Sequence, residues 1–214
     1  MNAAQYLGKR WEKTLQVLRV PSAPATTAMI SEILHQYAEP GRAYHNLEHL
    51  RFCFTVIDDV MAKLPGIGAV ELALWYHDFF YDTHAQDNEE RSAAHARDQL
   101  IGSGFGRGFA NQVENLILAT KHSNEPKTRE AKVLLDVDIS IFSATTEEYD
   151  AYETGIRREY HWVPEEQFRA RRVEVLERFL SRQWIYATPE FRSGPYETLA
   201  RANLTRAIAA LKAP

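Results

Sequence analysis

The chain contains a single cysteine, Cys53, among its 214 residues, so no intramolecular disulfide can form. So little sulfur suits a reducing compartment and leaves no thiolate cluster for a metal. Long apolar runs are missing as well. Nowhere do about 18 apolar residues pass without a charge, so no membrane span is expected. The first twenty residues, MNAAQYLGKRWEKTLQVLRV, lack the apolar core and small-residue cleavage site of a secretory signal. A cytoplasmic protein is the expectation. Positive charge is not in surplus: 25 Lys and Arg stand against 29 Asp and Glu, a net charge of −4. That balance argues against general nucleic-acid binding, which needs basic residues to meet phosphates.

Glycine and proline are sparse and fall between patterned segments. Pro21, Pro40-Gly41, Pro65-Gly66, Gly102 to Gly108, Pro126, Pro164, Pro189 and Gly194-Pro195 read as breaks. Between them the apolar residues recur with the helical period. Leu47, Leu50, Phe54, Ile57, Met61 and Leu64 form one stripe, and Val113, Leu116, Ile117 and Thr120 another. Val173, Leu176, Phe179 and Leu180 follow, then Leu199, Leu204, Ile208 and Leu211. Start signals agree: Asn88 before Glu89-Glu90, Thr145 three before Glu148, and Pro164 before Glu165-Glu166. About eight to ten helices are expected in one all-α domain, with no repeat or linker to split it. The stretch LLDVDISIF (134–142) alternates like a strand but is assigned to a short helix by its helical neighbours. The arginine-rich RARRVEVLERFLSR (169–182) carries Glu174 and Glu177, which makes it a salt-bridged helix surface rather than a nucleic-acid patch.

Chemistry concentrates in two short stretches, YHNLEH (44–49) and WYHDFFYD (75–82). His45 and His49 are four apart, a spacing that puts both on one face of a helix beginning near residue 45. Phe52, Cys53, Val56 and Val60 lie near that face, so the helix is apolar nearly all round and His49 points inward. His77 and Asp78 also sit in an apolar run, where an unpaired carboxylate is costly. An arginine such as Arg51, or His49, is the plain partner for Asp78. Asp136 and Asp138 interrupt the aliphatics of LLDVDIS in the same way. A divalent metal accounts for all of these together: imidazole and carboxylate suit Zn, Mn, Fe, Ni or Co, and ligands from separate helices can converge inside a bundle. A zinc protease is excluded, because its His-Glu-x-x-His helix needs a glutamate where Asn46 stands.

His49, then His77-Asp78, then Asp138 resembles the H…HD…D pattern of HD-domain metal-dependent phosphohydrolases. YHNLEHL, WYHDFFYD followed by DNEERSA, LLDVDIS and ETLARANL together resemble a bacterial group described as predicted HD-superfamily phosphohydrolases, over nearly the full chain. The resemblance implies an HD-type helical bundle over 1–214, with a metal-site core at about 40–140 and C-terminal helices at about 144–212. It also implies one or two divalent transition-metal ions and a small phosphate ester or nucleotide as substrate.

YHNLEH further resembles the Tyr-His-Asn-x-x-His motif of cyclic nucleotide phosphodiesterases, distant members of the same superfamily. By that likeness His49 is a metal ligand with His77, Asp78 and Asp138, and His45 is the general acid. Asp136 is the fallback for Asp138. After the HD pair the phosphodiesterases continue His-Asp-x-x-His-x-Gly, where this chain has Tyr81 and Thr83. Lys121, His122, Arg91 and Glu89 are candidates for substrate contact, with His122 an alternative extra metal ligand and Glu89 an alternative proton-transfer or metal-shell residue. A helix C-terminus, however, explains Lys121-His122, and a helix start explains Glu89. Trp75, Trp162 and Trp184 read as core or boundary residues, and His84, His95 and His161 have no constellation around them. An inert ligand-binding module and an HD-like iron oxygenase are the alternative functions. The sequence is compatible with a homo-oligomer.

Overall fold

The computed structural model describes residues 1–61, 67–122 and 125–213. Leu64 and the Pro65-Gly66 break lie outside the described residues, as does the side chain of Met61. The described chain is all-helical and falls into two compact units, Met1–Asp138 and Ile139–Pro214. Among the described residues no helix is long and apolar enough to cross a membrane.

The first unit holds α1 (Ala3–Leu18), α2 (Pro24–Tyr37), α3 (Leu47–Met61), α4 (Gly68–Tyr76), α5 (Asn88–Gly102), α6 (Arg107–Ala119) and α7 (Arg129–Asp138). Helix α4 is its axis. All nine of its residues are buried, and it packs against α1, α3, α5, α6 and α7. Its sequence, GAVELALWY, explains this: a helix apolar on every side has no face for water. The exception is Glu71, which α1 answers with Arg10. That guanidinium reaches the Glu71 carboxylate through two nitrogens, at 2.7 and 3.1 Å, and also bonds Thr14 at 3.0 Å. Trp75 donates to the same Thr14 hydroxyl at 3.0 Å and packs edge-on against Trp11. The middle of α4 is thereby locked to α1, and its C-terminal end delivers His77 and Asp78.

The second unit begins with a 3-10 helix (Ile139–Ser143), followed by α8 (Thr146–Glu159), α9 (Glu165–Leu180), α10 (Pro189–Arg192) and α11 (Tyr196–Lys212). LLDVDISIF is thus helical throughout, α-helix to Asp138 and 3-10 beyond it. Phe142 packs edge-on against Phe179, and Asn203 of α11 donates to the carbonyls of Phe142 and Ala144, both at 3.0 Å. The arginine-rich helix α9 is salt-bridged, within itself between Arg171 and Glu174 as its sequence indicates, whereas Arg172 meets Glu153 of α8 and Glu177 meets Lys212 of α11.

Several expectations are corrected. Eleven α-helices are present among the described residues rather than eight to ten, partly because Pro189–Arg192 closes a separate turn. Thr145 and Glu148 form the expected capping box, but Asn88 does not cap α5. Its side chain is occupied by the Asp82 backbone, accepting from the amide and donating to the carbonyl. Leu199 is exposed, because α11 buries Ala200, Leu204, Ala207 and Ile208, and five residues from Leu199 to Leu204 is not a helical step. Trp75 is fully buried, whereas Trp162 and Trp184 are each 44% exposed in the connections flanking α9.

The Arg10–Glu71 pair has a direct test. Glu71→Ala leaves the buried guanidinium with Thr14 and the partly exposed Asp58, 3.3 Å away, and is expected to cost about 1–3 kcal/mol. Urea unfolding measures that loss, and an Arg10→Met, Glu71→Leu double variant is expected to recover most of it.

Candidate metal centre

Helix α3 starts at Leu47, so YHN is a turn and not helix. Asn46 is the reason: its carboxamide oxygen accepts from the amides of Glu48 at 2.8 Å and His49 at 3.4 Å, as an N-cap does. The i, i+4 argument therefore fails for His45, which lies in the turn before the helix. His49, in the first turn of α3, is 3% exposed. His77 terminates α4, Asp78 follows it, and Asp138 ends α7.

These four side chains converge. The Nε2 atoms of His49 and His77 are 3.1 Å apart. Asp78 Oδ2 lies 3.0 Å from His77 Nε2 and 3.6 Å from His49 Nε2. Asp138 Oδ1 lies 3.5 and 3.7 Å from the same two nitrogens. The ligand atoms of His49, His77 and Asp138 all fall within 4.8 Å of one another, an arrangement that can hold a metal ion. The spacing suits the donors. With metal–ligand bonds of about 2.1 Å, neighbouring ligand atoms sit about 3.0 Å apart in an octahedron and about 3.4 Å apart in a tetrahedron.

The outer nitrogens fit as well. His77 Nδ1 lies 2.9 Å from the Leu74 carbonyl, which can only accept, so the proton is on Nδ1 and the Nε2 lone pair of the neutral ring faces the cluster. His49 Nδ1 is 3.0 Å from the Tyr44 hydroxyl. Cys53 Sγ is 3.8 Å from both His49 ring nitrogens, and burial pushes its thiol up, so it contributes packing rather than a thiolate.

Electrostatics divide the cluster into one acceptor of a proton and three groups that refuse it. Burial, aided by the charge of His77, pushes the His49 imidazole down to about 4. Burial would lower His77 also, but Asp78, Tyr37 and Asp138 outweigh it and hold His77 well above its ordinary value. Burial would raise both carboxylates. Instead His77 and His45 hold Asp78 low, and His122 and His77 hold Asp138 low. Without metal, two carboxylates thus face one protonated imidazole at neutral pH. A divalent cation would satisfy both carboxylates and replace that proton.

The remaining candidates separate. His45 stacks on Tyr81, with ring centroids 4.1 Å apart, and its ring lies 5.6 Å from that of His49, at the edge of the cluster. His122 takes a left-handed backbone, φ 51°, and brings Nε2 to 3.5 Å from Asp138 Oδ2. Asp136 is buried but belongs to none of the described cluster contacts; two residues from Asp138, it projects from another side of α7. Lys121 bonds Glu90 and the Gln86 carbonyl, and Arg91 lies over the Phe80 ring. No described contact brings either of them to the cluster. Glu89 is half-buried in the first turn of α5, where acidic residues suit the helix dipole. Arg51 pairs with Glu48 and not with Asp78.

Sequence reasoning missed Arg42, Tyr44 and Tyr37. Tyr37 accepts from the Asp78 amide at 3.2 Å. Arg42 carries the only charged side chain between Glu39 and Glu48 that is buried along with its head group, and PGRAYHN offered no period to reveal it. His95, assigned no constellation, pairs with Glu32 at 3.4 Å and stacks on Phe79.

Comparison with protein-family models, with curated proteins and with solved structures finds no match to this chain.

The titration of the cluster sets the pH dependence of metal uptake. His77 is protonated in the metal-free fold up to a pH above its ordinary value, so a metal must displace that proton. Apparent Co²⁺ affinity is expected to fall by about tenfold per pH unit as pH drops through neutrality. Loss steepens near pH 4, where His49 also takes a proton. Co²⁺ titrations between about pH 3.5 and 8, in buffers of different ionisation enthalpy, measure both the affinity and the released proton.

Proposed function

We propose that this protein is an HD-type metal-dependent phosphohydrolase acting on a small phosphate ester or nucleotide. The observation that carries the reading is the convergence of His49, His77, Asp78 and Asp138, with His45 at the edge. A divalent transition metal (Zn, Mn, Fe, Ni or Co, as one or two ions) bound there would polarise a phosphoryl oxygen and acidify a bound water.

The chain's own groups supply the rest. His49 and His77 present Nε2 as donors while Tyr44 and the Leu74 carbonyl hold their outer nitrogens. Asp78 and Asp138 remain anionic and offset the charge of the cation. His45, fixed against Tyr81, delivers a proton to the leaving oxygen, a role suited to an imidazole near neutral pH. His122, bonded to Asp138, orients that carboxylate. Lys121 and Arg91 would reach a phosphate only by leaving Glu90 and Phe80, so phosphate charge is met chiefly at the metal.

The donor set of two imidazoles with a carboxylate also serves non-haem iron oxygenases, which supports a second reading. Oxygen consumption by iron-loaded protein, with no phosphatase activity, would favour that one.

The test is elemental analysis of protein purified without chelator, followed by a panel of phosphate esters. His77→Ala with Asp78→Ala is expected to lose both metal and activity; full metal occupancy in that variant overturns the reading. His45→Gln is expected to keep the metal while kcat falls by about 10²–10⁴-fold.

A further inference from the structure

We propose that Arg42 is the positioning residue that fixes the His45 turn against the His77-Asp78 turn, so that proton donor and metal ligands are held in one frame. This rests on the metal reading of the site. The side chain of Arg42 is only 2% exposed, yet it lies in the loop between α2 and α3 rather than in a helix. Its Nη1 donates to the Asp78 carbonyl at 2.6 Å and to the His45 carbonyl at 3.2 Å. Its Nη2 donates to the Phe79 carbonyl at 2.6 Å, and Nε bonds the Glu39 carboxylate at 3.3 Å. The guanidinium also lies over the rings of Tyr37, at 5.1 Å, and Tyr81, at 5.7 Å. Tyr37 accepts from the Asp78 amide and Tyr81 carries the stack with His45, so both rings belong to the frame.

The carbonyls explain the need for this residue. Helix α4 ends at Tyr76, and the carbonyls just beyond a helix end have no partner within the helix. That of Phe79 is buried and that of Asp78 partly so, and an unmet acceptor in such a place is costly. A planar cation with forked donors answers two adjacent carbonyls at once and favours the negative end of the helix dipole. The same fork reaches His45, 33 residues earlier in sequence than Asp78. A lysine has one nitrogen, whose donors could meet the Asp78 and His45 carbonyls as Nη1 does but would leave the Phe79 carbonyl and Glu39 unanswered.

The test uses full-length Arg42→Ala and Arg42→Lys, with Thr14→Val as a control for lost stability. Thr14 bonds Arg10 and Trp75 and takes no part in the cluster. Hydrogen exchange is measured on metal-free protein, and Co²⁺ affinity is read from visible absorption. In Arg42→Ala the amides of Asn46, Asp78 and Phe79 are expected to exchange at least about tenfold faster. Co²⁺ affinity is expected to fall by about 10–100-fold, the loss typical of groups that orient metal ligands.

Arg42→Lys recovers only part of the affinity because the Phe79 carbonyl stays unmet, and millimolar guanidinium ion restores part of the affinity of Arg42→Ala. Thr14→Val lowers Tm without weakening Co²⁺ binding. Wild-type exchange and affinity in Arg42→Ala overturn the proposal, as does an equal affinity loss in Thr14→Val. If wild-type protein hydrolyses no phosphate ester but binds Co²⁺ more tightly than Arg42→Ala, the phosphohydrolase reading fails and the role of Arg42 stands. Wild-type protein that takes up no Co²⁺ overturns both.

Discussion

A helix buried on every side must satisfy its charges and its unpaired ends with other parts of the protein, and α4 is such a helix. Glu71 in its middle is met by Arg10, and the carbonyls just past its last turn are met by Arg42. Both partners are arginines, whose forked donors can bond two acceptors at once. Between these two anchors α4 has little freedom to slide or fray. His77 and Asp78 stand at its end, so the accuracy of the candidate metal centre derives from the burial of the helix that carries them.

In the cluster itself two carboxylates, each nearly a fifth exposed, lie 3.0–3.7 Å from the Nε2 atoms of two buried imidazoles. His77 takes up the proton that His49 refuses, because burial weighs against His49 while the carboxylates reinforce His77. The outer hydrogen bonds to the Leu74 carbonyl and Tyr44 fix how both rings face. An arrangement ready for a cation is thus built from groups on α3, α4 and α7, and His45, Tyr81 and Arg42 add its rim.

Much of the first unit was legible in the sequence for a physical reason. The apolar periodicity that sets a helix apart also sets its buried face, so Leu50, Phe54 and Ile57 could be placed in the core directly. The same logic placed His49 inward. It failed for His45, because periodicity assumes a continuous helix, and Asn46 caps α3 one residue later. It failed for Leu199 as well: one step off the stripe of α11, it has no buried helix face to enter.

The amino-acid sequence by itself determined the all-helical character, the inward set of His49 and His77, and the Arg171–Glu174 pair on α9. Each depends on neighbours within one or two helical turns, and local spacing records those. Only the tertiary structure decided that His122 reaches Asp138 and that Lys121 is bound to Glu90. It alone decided that Arg42 ties two turns together. Those outcomes depend on the direction in which α7 and the α2–α3 loop approach α4, and that direction is set by the packing of whole helices rather than by any short run of residues.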